Sequence, residues 1–230
     1  KITNKTYFRY EYVKNCQKGK EEYFLTEYSK ANSALEEYDL YNAKKALENA
    51  KEVCESHPDL QILISRYHML NGQLEEAKAI LDKLLESYED DLFAYYYRGN
   101  LFFRLGKFNE AYHDYKQALK IKPDFIDILF SIGKCCMSLG KYEEATEYFE
   151  KLTDIIQYNR DARILLSSAY GFYLDELNKL VEENPEDIDL KFKLAKALYA
   201  CHNAEESYNV LNDIEQKVQL NSEMYILLCK

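Results

Sequence analysis

Apolar side chains recur along this chain at steps of three and four residues, the spacing that gathers them on one face of an α-helix. Ala111, Tyr115, Ala118 and Leu119 make one such stripe. Gly72, Gly106 and Gly140 each stand between two helical patterns, where a positive φ can end the first helix before the second begins. Acidic pairs such as Glu75-Glu76 and Glu143-Glu144 fall in the first turn of the following helix, where the helix dipole favours negative charge. The pattern predicts short helices joined in pairs by tight turns.

The pairs repeat. Gly106-Lys107-Phe108-Asn109-Glu110-Ala111 returns as Gly140-Lys141-Tyr142-Glu143-Glu144-Ala145 after 34 residues, and Gly72-Gln73-Leu74-Glu75-Glu76-Ala77 stands 34 residues upstream. Four contiguous windows follow, 24–57, 58–91, 92–125 and 126–159. Their eighth place is always small (Ala31, Ser65, Gly99, Gly133) and their twentieth is always Ala (Ala43, Ala77, Ala111, Ala145). Small residues at fixed places let two helix backbones approach to about 8 Å. Residues 188–221 fit the same register with Leu194, Ala195, Leu198, Ser207, Leu211 and Ile214 at core places, and the intervening 160–187 is six residues short. Its missing residues align around Gly171, so a shortened helix pair is expected there. Residues 1–23 are expected to hold one helix over 6–18, capped by Thr6, with Phe8, Tyr12, Val13 and Cys16 on one face. It would serve either as a cap or as the second helix of an earlier repeat. Ser222 is expected to cap a further helix in 222–230. The chain stops inside that repeat, so a longer parent array is expected.

Composition narrows the function classes. With 40 acidic against 30 basic residues the net charge is -10, and the bases are scattered, which argues against nucleic acid and anionic membrane surfaces as partners. No stretch of about 18 uninterrupted apolar residues is present, so no direct membrane insertion is expected. The 7 Gly and 3 Pro are too few for the frequent turns of an all-β fold. Six cysteines at 16, 54, 135, 136, 201 and 229 lack the spacing of a stapled secreted domain and read as reduced thiols, which favours a cytoplasmic location. The chain opens Lys1-Ile2 rather than with Met, so the lack of a leader says nothing about secretion. No phosphate loop, nucleophile elbow or metalloprotease motif is present, and the four histidines are dispersed. Neither catalysis nor a cofactor is expected, and no metal site.

The repeat resembles the tetratricopeptide (TPR) family. Tyr95, Gly99, Phe102, Gly106, Phe108, Ala111, Tyr115, Ala118 and Pro123 stand at that family's landmark places in the window 92–125. Arg98 departs from a usually apolar landmark, and Tyr38 and His202 stand where the turn Gly is due. The resemblance implies an all-α TPR-type solenoid, a right-handed superhelix of antiparallel helix pairs. It also implies that the first helix of each pair lines a concave wall, at about the second, fifth, sixth, ninth, twelfth and thirteenth places. Those places hold Ile62, Leu63, Arg66 and Met69, then Phe93, Tyr96, Tyr97, Asn100, Phe103 and Arg104, then Phe130 and Lys134. Aromatic anchors with Arg66, Arg104 and Lys134 beside them suit a peptide segment of another protein, extended or as an amphipathic helix. The arginine, lysine and asparagine places with which some family members grip a chaperone's terminal carboxylate are not matched. The expected function is a non-enzymatic scaffold or adaptor in complex assembly. A co-chaperone-like holdase and a self-associating subunit, for example a homodimer, remain alternatives.

Overall fold

A computed structural model describes residues 9–219 and 221–229, apart from the side chains of residues 10, 14 and 15. Thr6 and Phe8, expected to cap and face the first helix, lie outside the described residues. The chain divides into two compact units, through Pro123 and from Asp124 onward. Among the described residues all regular structure is helical.

The first unit opens with a short 3-10 helix, Tyr10–Asn15, instead of the α-helix expected over 6–18. Three helix pairs follow: α1 (Glu21–Glu36) with α2 (Leu40–Cys54), α3 (Pro58–Leu70) with α4 (Leu74–Ser87), and α5 (Leu92–Arg104) with α6 (Phe108–Ile121). Each helix packs on the next, and α1 with α3 and α3 with α5 also touch, so the first helices form one continuous face of this unit. The second unit contains α7 (Ile126–Ser138), α8 (Tyr142–Ile155), α9 (Arg160–Glu183), α10 (Ile188–Ala200), α11 (Ala204–Lys217) and α12 (Ser222–Leu228), again packed in succession.

The turns repeat as closely as the sequence. Gly72, Gly106 and Gly140 take φ of 81°, 71° and 71°. The amide after each reaches back to the helix it has just left: Gln73 to the His68 carbonyl at 2.8 Å, Lys107 to Phe102 at 2.9 Å, and Lys141 to Cys136 at 2.9 Å. Tyr38 and His202 hold the same place with φ of 59° and 63°, and the amides of Asp39 and Asn203 make the matching bonds to Ala34 and Leu198. The turn therefore forms even where the residue carries a Cβ, at the steric cost of a left-handed conformation.

Small residues at the eighth place have a direct cause. A Cβ built on Gly99 would stand 2.7 Å from the Tyr115 ring, and one on Gly133 would stand 2.5 Å from Phe149. Tyr115 and Phe149 are almost wholly buried, each ring closely packed against the glycine of the preceding helix. Ala31 and Ser65 fill the same place in the first two pairs with no exposed surface.

Arg98, the departure from an apolar landmark, ties three helices together. Its Nε and Nη2 donate to Asp114 at 2.7 and 2.8 Å, and its Nη1 donates to Asp82 at 2.8 Å. The bond to Asp114 does most to raise its pKa above the ordinary arginine value. Burial works to raise Asp82, yet the bonds from Lys78 and Arg98 hold that carboxylate below its ordinary pKa.

Three expectations are overturned. First, 160–187 is not a shortened helix pair: α9 runs unbroken for 24 residues through Gly171. An isolated helical Gly costs only about 1 kcal/mol against Ala. The stripe Ala169, Tyr170, Tyr173 and Leu177 continues across it and is buried, so the helix gains more by continuing than by turning. Ser167 Oγ donates to the Ala200 carbonyl at 2.8 Å, and the Tyr170 hydroxyl donates to Glu150, binding α9 to α10 and to α8. Second, Asn221 rather than Ser222 caps α12, with its Oδ1 accepting from the Met224 amide at 2.9 Å. Third, the cysteines are not all thiols. Cys16 is joined to Cys54 in a disulfide across 38 residues, while Cys135 and Cys136 are buried thiols. The cytoplasmic expectation loses the support it drew from six reduced cysteines.

The disulfide belongs to a wider clasp. Arg9 donates to Asp59 through its amide at 2.7 Å and its Nε at 2.9 Å, and to Asp91 through Nη1 at 2.6 Å. Tyr12 meets Tyr88 edge-on with ring centroids 5.6 Å apart, and the Gln17 amide donates to the Val53 carbonyl at 3.1 Å. The segment 9–17 thereby bridges the starts of α3 and α5 and the end of α2. Replacing Cys16 and Cys54 by Ser should cost about 3 to 5 kcal/mol, the loop-closure value for a link of this length. Urea unfolding with and without dithiothreitol checks it: the reductant should lower the wild-type midpoint and leave C16S/C54S unchanged. An equal response in both proteins would show that the link contributes nothing.

Arg98→Met should destabilise the first unit by about 3–5 kcal/mol, because it strands the carboxylate of Asp114, whose side chain is 2% exposed. The double substitution R98M/D114L should recover most of that loss in the same urea titration. If the double variant is as unstable as the single, the ion pair is not what the single removes.

Candidate functional site

The first-helix face of the first unit contains most of the residues singled out from the sequence. Asn32, Arg66 and Asn100 hold the ninth place of three successive windows on α1, α3 and α5. Arg66 Nη1 donates to Asn32 Oδ1 at 2.7 Å, and its guanidinium carbon lies 5.3 Å from the centroid of the Tyr97 ring. Asn100 Oδ1 accepts from the Tyr115 hydroxyl at 2.8 Å. One turn further on, Arg104 Nη1 donates to the Met69 carbonyl at 2.7 Å. These contacts form a polar ladder in which Arg66 joins α3 to α1 and α5 and Arg104 joins α5 back to α3, while the Asn100 bond ties α5 to α6.

A hollow of about 210 Å³ opens along this ladder. Leu35, Met69 and Leu70 supply apolar wall, Arg66, Tyr97, Asn100 and Arg104 supply polar and aromatic wall, and Glu36 and Tyr38 complete the lining. Beside it lie half-exposed rings of α5. Phe93 stacks on Tyr97 with centroids 6.4 Å apart, and Tyr96 leans on Tyr97 at 5.0 Å and on Tyr115 at 6.4 Å. Burial pushes the hydroxyl of Tyr28, on α1, well above the ordinary tyrosine pKa, and Asp59 adds to the shift. It stays a neutral hydroxyl at physiological pH.

Not every residue expected on this wall faces it. Leu63 has no exposed surface and Ile62 is 4% exposed, and each packs in a hydrophobic cluster between helices. Their apolar side chains gain more from that burial than from an open wall, so neither is placed to touch a bound segment. Met69 is also mostly buried, but its side borders the hollow. Phe103 sets its ring edge against Phe108 at 5.2 Å, on the turn into α6. Phe130 and Lys134 belong to the second unit, where the Lys134 ammonium lies 5.4 Å from the Phe130 ring centroid and Phe130 borders a separate hollow with Asp127 and Ile156. Tyr38 is the lining residue that the sequence pattern did not assign to the wall. Its signal was a bulky residue where the turn takes Gly: at positive φ and 75% exposed, its side chain projects from the α1–α2 turn.

Among the described residues no group of three or more His, Cys, Asp or Glu gathers to hold a metal, and no helix is long and apolar enough to cross a membrane. What the face offers is aromatic area, an indentation and positive charge.

Residues 70–152 match the sequence model of a family described as subunit 3 of the anaphase-promoting complex, or cyclosome. A CTR9 homolog from Arabidopsis thaliana is 25% identical over 160 residues, 66% of this chain and 13% of that protein. Human DnaJ homolog subfamily C member 3 is 30% identical over 81 residues, 35% of this chain and 16% of that protein. The chain thus spans less than a quarter of the length of the curated relatives it matches. In structure it is similar to a tetratricopeptide repeat protein from Parabacteroides merdae, with a TM-score of 0.53 and 19% identity, covering 89% of this chain and 83% of that one. The 34-residue period, the recurring helix-turn-helix pairs and these likenesses together make the chain a tetratricopeptide-repeat protein in fold.

Proposed function

We propose that this chain is a non-enzymatic protein-binding scaffold that holds a segment of another protein along α1, α3 and α5 of its first unit. One observation carries the reading: Phe93, Tyr96 and Tyr97 keep half-exposed faces beside a hollow, on a surface the fold builds from three successive repeats. Aromatic rings left partly open bury large area on contact and lose few rotamers, so they serve as anchors. The anchors are apolar, the hollow takes a protruding side chain, and the arginines hold the backbone or a polar group at the rim. A second reading, in which the same face seats a neighbouring subunit of a fixed assembly, is favoured by the family model, which is named for a subunit of a multi-protein complex.

Replacing Tyr96 and Tyr97 together by Ala should remove at least about 2 kcal/mol of binding, a loss of some thirtyfold in affinity. The check is a capture experiment with wild-type and variant chains on beads, the bound proteins identified by mass spectrometry. A discrete set of proteins should be lost from the variant while its circular dichroism spectrum is unchanged. Equal capture by both chains would refute the placement of the site. Suppressed aggregation of an unrelated heated protein would instead favour the holdase alternative, and concentration-dependent sedimentation would favour self-association.

A further inference from the structure

The first unit has four arginines among its described residues, and they divide cleanly. Arg9 is neutralised by Asp59 and Asp91, and Arg98 by Asp82 and Asp114. Arg66 and Arg104 make no ion pair among the described residues, and both line the one hollow between α1, α3 and α5. Their hydrogen bonds go to neutral acceptors, the Asn32 amide oxygen and the Met69 carbonyl. A guanidinium carries five N–H donors, so each bond leaves most of the fork unspent. In a chain of net charge -10, a concavity lined by two cations against the single carboxylate of Glu36 is a specific imbalance. Glu36 borders the same hollow, but its bond is to Asn32, which donates to its Oε1 at 3.2 Å.

Size narrows the ligand further. At about 210 Å³ the hollow is below the roughly 300–1,000 Å³ of small-molecule sites. It accommodates one protruding side chain rather than a free metabolite. Leu35, Met69, Leu70 and Tyr97 give the hollow an apolar and aromatic wall beside the polar Asn100 and Glu36, and a hydrogen bond from a guanidinium to a carboxylate there is of the strong, charge-assisted kind.

We infer that this hollow seats the carboxylate of a Glu or Asp side chain inside the bound segment, held by Arg66 and Arg104, with apolar neighbours of that residue lying on Tyr97 and Phe93. The inference rests on the proposal that this face binds a peptide, and adds the chemistry that selects it. The partner is a protein segment with an internal acid between apolar residues.

The test is selection from a phage-displayed library of random twelve-residue segments, fused at both ends so that no free carboxyl terminus is offered. Selected segments are resynthesised with acetylated and amidated ends, and their binding is followed by fluorescence polarisation. The expected result is a shared Asp or Glu flanked by apolar residues. Changing that Glu to Gln should weaken binding to the wild type by about tenfold or more. The same change should matter little against R104Q, whose altered residue is exposed and folds with least disturbance, or against R66Q. Segments that need Tyr97 but share no acid, or that lose equally from Glu to Gln in wild type and R104Q, would overturn the seat and leave the groove standing. Loss of binding on amidation alone would also overturn it, because the carboxylate would then be a chain end. Failure to select any segment would remove both the seat and the groove.

Discussion

The contact on which the rest depends is the close approach of the two helices of a pair at the small eighth place, which in two pairs sets a buried ring against a glycine. Tyr115 against Gly99 and Phe149 against Gly133 leave no room for a Cβ. Because that place is small in every pair from α1 to α8, the two helices of a pair can lie close and bring their apolar stripes together. A single pair of this length cannot close its own core, so the stripe must be covered by the next pair. The stacking that follows sets α1, α3 and α5 side by side and gives the first unit its open face. The small eighth place, the buried ring and the groove are one constraint seen at three scales.

Charge is distributed over that framework by position. Where a cation sits between helices, as Arg98 does, the fold supplies carboxylates from both neighbours, since a half-buried guanidinium without them would be costly. Where a cation sits on the open face, as Arg66 and Arg104 do, the fold supplies only neutral acceptors. The difference is not visible in residue type. It follows from whether the place in the repeat points between helices or along the face, and it separates the arginines that hold the array together from those available to a partner.

Much of the site could be read from the period, because groove places recur every 34 residues and the structure brings Arg66, Met69, Tyr97, Asn100 and Arg104 around one hollow. The reading failed at Ile62 and Leu63, although Ile62 holds the same fifth place as Tyr96 and Leu63 the same sixth place as Tyr97. Which of these side chains turns inward depends on how closely the neighbouring helix approaches, and on side-chain length. Aliphatic chains close into the cluster formed with Leu81, Leu84 and Ala94, or with Leu60 and Ala31. Tyr97 is too long and too polar at its tip to follow. Tyr38 was noticed only as an irregular turn residue, and it is the turn's left-handed backbone that aims it at the hollow.

Helix pairs, turn geometry and close-packed places follow from the residue pattern alone, because each is a local or periodic demand: an apolar stripe every turn, a left-handed residue after the first helix, a small side chain where two helices meet. Even Tyr38 and His202 obey, since the turn's hydrogen bonds outweigh the steric cost of one Cβ. Whatever depends on non-local neighbours is set by the packing of the folded chain. It joined Cys16 to Cys54 by laying the segment 9–17 across the ends of three helices. It carried α9 straight through Gly171 because α8 and α10 offered a surface for the whole stripe. Short-range preference sets where a helix can form, and the burial available from its neighbours sets where it stops and which of its side chains remain open to another molecule.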